Sequence, residues 1–147
     1  YSFDEKGKFF MGKNPNFKEI PNGMPGLHWR LPILLDKVLR NQCNLNVLDF
    51  VRITSTMPAK IYGLYPKKGE IKIGSDADIT IWNKDKKVTL SDGMVVDGSK
   101  YNPYSGFEVC CWPDEVLLRG HTIVKDNKIK GGKNMGEFLP TKLSDYI

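Results

Sequence analysis

Asp76 and Asp78 stand two residues apart, just before the alternating run Ile79-Thr80-Ile81-Trp82. On an extended chain that spacing turns both carboxylates to one side, as an acid/base pair requires. No histidine lies nearby in sequence to complete such a site. The pair is therefore read as structural, bonding backbone N–H groups of the turn after Gly74. His28 and His121 are the two histidines, with no H-x-H or H-E-x-x-H spacing. A catalytic metal normally takes three protein ligands, so no metal ligand and no catalytic residue is assigned on this chain. No G-x-S-x-G, G-x-G-x-x-G or P-loop pattern occurs.

The cysteines are Cys43 and the neighbours Cys110 and Cys111. An odd count without C-x-x-C spacing argues against a disulfide framework and against a zinc knuckle. Reduced, buried thiols are expected, which points to a reducing, cytoplasmic compartment. A more useful geometry lies in Pro21-Asn22-Gly23-Met24-Pro25-Gly26. Glycine-flanked backbone approaches a small ligand closely, and Asn22 carries an acceptor and two donors on its side chain. On composition alone this stretch is a turn leading into a helix.

These residues must be positioned by two kinds of structure. Residues 1–26 read as a long loop rich in turn formers. A helix is expected over Leu31–Asn41, with Pro32 in its first turn and Leu31, Leu34, Leu35, Val38 and Leu39 on one face. Asn44 or Asn46 caps a second helix over Val47–Ser55. A third, Pro58–Leu64, ends near Gly63. From Glu70 onward the pattern is strand and turn. Glu70–Ile73, Ile79–Trp82, Lys87–Leu90, Met94–Val96 and Glu115–Arg119 read as strands. Then a hairpin joins His121–Lys125 to Lys128–Lys130 through Asp126-Asn127, residues that tolerate positive φ. Residues 131–147 read as an arm that docks elsewhere, on a neighbouring subunit for example.

At 147 residues, 40% hydrophobic and 27% charged, the chain has the composition of a soluble globular protein. No apolar run approaches the length of a membrane span. The net charge of +5 is scattered beside turns, and no nucleic-acid motif accompanies it. The start, Tyr1-Ser2-Phe3-Asp4-Glu5, carries neither an initiator methionine nor a signal peptide, and a longer parent is expected.

Taken in order, several stretches resemble the C-terminal third of the hydantoinase/dihydropyrimidinase family of amidohydrolases. They are Ile20-Pro21-Asn22-Gly23-Met24-Pro25-Gly26-Leu27, Arg30-Leu31-Pro32, and the run from Thr54 to Pro66. Lys68-Gly69-Glu70-Ile71, Gly74-Ser75-Asp76-Ala77-Asp78-Ile79, Tyr101-Asn102-Pro103-Tyr104, Arg119-Gly120 and Gly136-Glu137-Phe138-Leu139-Pro140 follow. His28, Met57 and Cys111 depart from the family pattern, where glutamate, asparagine and glycine are usual.

The resemblance implies an α/β fragment: the last helices of a (β/α)8 barrel (1–65), C-terminal strands of a β-sandwich (66–130) and a C-terminal arm (131–147). It implies a parent hydrolase that opens dihydropyrimidine or hydantoin rings. It also implies two zinc ions bridged by a carboxylated lysine, with ligands lying before Tyr1. Asn22 maps onto a substrate-binding position that acts largely through its backbone. A homo-oligomer, tetrameric in the parent, is implied, with a small cyclic amide as partner and neither nucleic acid nor membrane. The 147 residues alone are expected to be inactive, and Leu34, Leu35 and Val38 to lie exposed or against another copy. The alternative is a non-catalytic scaffold of the same family.

Overall fold

The computed structural model describes residues 4–144. The ends of the first loop and of the arm, 1–3 and 145–147, lie outside the described residues. A chain of turns leads to a 3-10 turn, Leu27–Trp29, which runs into α1, Arg30–Leu39. The helix starts and stops within two residues of the sequence expectation. It closes where Asn41 takes φ 54° and Gln42 N–H returns to Lys37 O at 2.8 Å. An asparagine tolerates that left-handed conformation better than a branched residue does.

Two helices were expected beyond α1, and the structure joins them into one helical rod. It comprises α2 (Val47–Val51), a π turn (Arg52–Thr56) and α3 (Met57–Ile61). Asn46 is the cap: its side chain accepts the Asp49 N–H at 3.0 Å, and Asp49 accepts the Asn46 N–H at 3.2 Å. The wide turn has a physical cause in Pro58. Proline offers no N–H to the carbonyl four residues back, and its ring presses on that carbonyl in a regular α-helix. Opening the turn, so that Met57 N–H reaches Arg52 O five residues back, lets the helix continue through it. At the far end Gly63 takes φ 66° and Leu64 N–H bonds Ala59 O at 2.8 Å, closing the helix where the glycine predicts.

The strands form two antiparallel sheets. Four strands run in the order β1 (Ile79–Asn83), β4 (Trp112–Leu118), β5 (His121–Lys125), β6 (Lys128–Ile129). A two-stranded ladder pairs β2 (Val88–Thr89) with β3 (Glu108–Val109). Asp126 and Asn127, with φ 50° and 60°, make the expected β5–β6 hairpin. Bulges between Ile81 and Trp82 and between Val116 and Leu117 break the register on both sides of β4.

Three expectations are corrected. Glu70–Ile73 is not a strand, and Ile71 and Ile73 are fully exposed. Among the described residues it has no neighbour to pair with, and alternation alone cannot satisfy a strand's backbone groups. Met94–Val96 gives way to a 3-10 turn, Asp92–Met94, whose Asp92 carboxylate accepts the Asn102 N–H at 2.8 Å. The stripe of α1 is not left open either. Leu35 and Val38 are buried with Phe50 and Cys111, while Leu34 packs at the edge of that cluster. A second cluster, Trp29, Leu90, Val109 and Trp112, sits beneath the turn that leads into α1.

Candidate functional site

The Asn22 turn is pinned at both ends. On its C-terminal side Gly26 takes φ 121°, and Gly26 O accepts the Trp29 N–H at 3.0 Å. A side chain at Gly26 would stand 3.1 Å from the Tyr104 ring and 3.2 Å from Trp29, so glycine permits a close approach there. Trp29 is itself held in the core, tilted against Trp112 with ring centroids 6.2 Å apart. Aromatic burial of this kind makes the end of the turn rigid.

On its N-terminal side the turn is gripped by a lysine. Lys8 is only 7% exposed, and its ammonium donates to Pro21 O and, at 2.6 Å, to Gly23 O. These two carbonyls bracket Asn22. Asn22 itself is exposed and makes no hydrogen bond among the described residues. Its peptide groups and side chain are thus open to a ligand, on a loop whose neighbouring carbonyls face inward. Sequence reading passes over Lys8, because a lysine in a turn-rich segment looks like a solvated charge.

His28 follows the turn within the 3-10 segment, its Nδ1 3.8 Å from Asp97 and its ring 4.0 Å from that of Trp29. The Asp97 carboxyl is held below the usual carboxylate range, first by hydrogen bonds from Ser99 and less by His28. His121 opens β5. Among the described residues no group of three or more His, Cys, Asp or Glu is placed to hold a metal ion.

The two aspartates do lie on one side, but they serve a lysine. Lys68 reaches Asp76 at 2.8 Å and also Asp78, while Lys67 bonds Asp76 at 2.9 Å. Burial alone would lower the Lys68 pKa, and its hydrogen bonds to Asp76 and Asp78 outweigh that and raise it. Asp76 is lowered by Lys68 and then by Lys67. Asp78 also accepts the Arg119 N–H at 2.8 Å, tying the approach to β1 onto the β4–β5 turn. Both carboxylates are taken up in ion pairs and a backbone hydrogen bond. Their partners are two lysines and a distant backbone N–H, where the sequence pointed to the turn after Gly74.

The three cysteines are free, Cys111 being buried and its thiol pushed up to about 12 chiefly by burial. An apolar cleft of about 830 Å³ opens between the helical rod and β1, with Phe50, Ala59, Leu64 and Trp82 among its walls. Asn22 does not line it.

Comparison with known proteins gives these features a setting. The sequence profile of the amidohydrolase family matches residues 1–128. The chain belongs to the amidohydrolase family. It is 37% identical over 134 residues to the D-hydantoinase of Ralstonia pickettii, covering 91% of this chain and 29% of that protein. Against dihydropyrimidinase 2 of Caenorhabditis elegans it is 36% identical over 130 residues, 88% of this chain and 25% of the relative. The solved D-hydantoinase of Bacillus sp. AR9 superimposes with a TM-score of 0.87 at 36% identity, covering 98% of this chain and 31% of that one. The chain thus has an α/β fold matching hydantoinase structures, and it spans less than a third of the length of these relatives. Among the described residues no helix of this amidohydrolase chain is long and apolar enough to cross a membrane.

Proposed function

We propose that this chain is part of a hydrolase that opens cyclic amides of the dihydropyrimidine or hydantoin type, and that it contributes the substrate-facing turn around Asn22. The similarity to D-hydantoinases over nine-tenths of the chain carries this reading. The turn's geometry fits it. A lactam ring presents its N–H and C=O side by side, and a backbone residue can exchange both bonds with such a pair, as residues facing across an antiparallel ladder do. Asn22 has both groups open and a further amide on its side chain.

In the overall reaction water adds to the ring carbonyl, the C–N bond breaks, and the nitrogen takes the proton. No residue described on this chain is assigned to those proton or bond steps. The two metal ions, taken as zinc with a bridging carboxylated lysine, belong to residues outside these 147. The described residues offer no cluster that fits them. In the same proposal residues 1–65 end a (β/α)8 barrel, 66–130 supply sandwich strands, and 131–147 form an arm in a cytoplasmic tetramer.

The test is hydrolysis of dihydrouracil and hydantoin by the full-length protein supplied with zinc, followed by appearance of the N-carbamoyl product. Turnover by the full-length protein, and none by the 147-residue chain alone, is the expected result. No turnover by the metal-loaded full-length protein overturns the catalytic reading and leaves a non-catalytic member of the family.

A further inference from the structure

We infer that Lys8 is a positioning residue for substrate recognition, setting the Asn22 turn from behind. The inference rests on the reading that Asn22 meets the cyclic amide through its backbone. Three observations carry it. Lys8 is more than nine-tenths buried, and a buried ammonium must find compensating acceptors. The acceptors it finds are the carbonyls of Pro21 and Gly23, one on each side of Asn22. Gly23, at φ 93°, has open space around the position a side chain would occupy, so no side-chain packing holds the turn at that point.

A turn containing two glycines is intrinsically loose. A donor that binds the carbonyls of residues 21 and 23 at once removes most of that freedom. It leaves the Asn22 N–H and C=O open between the two held carbonyls, with the peptide groups of Met24 open beyond them. Holding a recognition group in place before the ligand arrives improves binding, because the ordering cost is already met in the free protein. Lys8 touches no reacting atom, so its effect falls on substrate affinity. A residue that merely stabilised the fold would alter the amount of active protein and leave KM alone.

The experiment measures KM and kcat for dihydrouracil, with metal content and melting temperature, in the full-length zinc-loaded protein. Lys8→Met keeps an unbranched side chain one atom shorter and removes its donors. Lys8→Gln keeps two N–H donors. Lys13→Met, an exposed lysine of the same segment, is the control. Lys8→Met should raise KM roughly tenfold or more, the worth of one to two hydrogen bonds to a charged donor, with kcat within about threefold. Lys8→Gln should recover part of that loss, and Lys13→Met should match the parent. An unchanged KM in Lys8→Met, at whatever melting temperature, overturns the proposal. Asn22→Pro, which deletes the Asn22 N–H, separates the two ideas. If it raises KM while Lys8→Met does not, the Asn22 reading stands and the Lys8 role falls. If Asn22→Pro leaves KM unchanged, the Asn22 reading fails and takes the Lys8 role with it.

Discussion

The Asp36 carboxylate of α1 accepts the Cys110 N–H at 2.8 Å, linking two residues 74 apart in sequence. The same oxygen accepts Arg40 Nε at 2.7 Å, one helical turn away. Asp36 is 2% exposed, yet its pKa lies below the usual range. Burial alone would raise it. The hydrogen bond from Arg40 and the Cys110 N–H outweigh that effect and hold it ionised. This one side chain therefore ties α1 to the link between β3 and β4.

Removing it should be costly. Asp36→Ala leaves the Cys110 N–H without its acceptor and Arg40 with only Glu108, at 3.7 Å, as a partner. A loss of about 2–4 kcal/mol is expected, less than for a fully buried pair because Arg40 is partly solvated. Urea unfolding of Asp36→Ala measures it, and a change under about 0.5 kcal/mol would refute the linking role.

Three carboxylates with cationic partners, Asp36 with Arg40, Asp76 with Lys67 and Lys68, and Asp114 with Lys86, predict the acid limb of the stability curve. The pKa values of Asp36, Asp76 and Asp114 are all lowered in the folded chain. A carboxyl with a depressed folded pKa adds stability above its unfolded value of about 3.9, lost as pH falls through the folded value. Stability from these groups should therefore be level near neutrality and decline below about pH 4. Lys68→Met removes the main cause of the Asp76 shift and should make that decline shallower. An unaltered acid limb in Lys68→Met would contradict this assignment.

Gly63 joins the end of α3 to the C-terminal arm. Its carbonyl accepts the Lys142 N–H at 3.0 Å, and a side chain there would stand 1.8 Å from Lys142 O. Gly63→Ala combines that collision with a positive φ, for which the backbone term alone is about 1–2 kcal/mol. The arm should come away first, so limited proteolysis should cut near residue 140 sooner than in the parent. Equal cleavage rates would show that the arm is held by other contacts.

Cys111 should be inert. It is fully buried, and its thiol is pushed up to about 12, so little thiolate forms at pH 8. Iodoacetamide should leave Cys111 unmodified in the folded protein and alkylate it after unfolding. Labelling of Cys111 under native conditions, read by mass spectrometry, would mean that the α1–β4 seam opens readily.

What the sequence determined by itself was local or cumulative. The apolar spacing from Leu31 to Leu39, a cap at Asn44 or Asn46 (Asn46 in the structure), the Gly63 stop and the Asp126-Asn127 hairpin all appear in the structure. Each depends on backbone sterics and on neighbours within about five residues, which a sequence displays directly. Family membership was also legible, because the order of many short motifs is carried along the chain itself.

Tertiary structure decided everything that needs a partner. Glu70–Ile73 has strand alternation but, among the described residues, no strand beside it, and a ladder cannot form from one side. Asp76 and Asp78 announced carboxylates, while only the fold brought Lys68 between them. Asn22 could be singled out from its turn chemistry. The buried ammonium behind it could not, because whether a lysine is solvated or enclosed depends on how the chain packs around its stem.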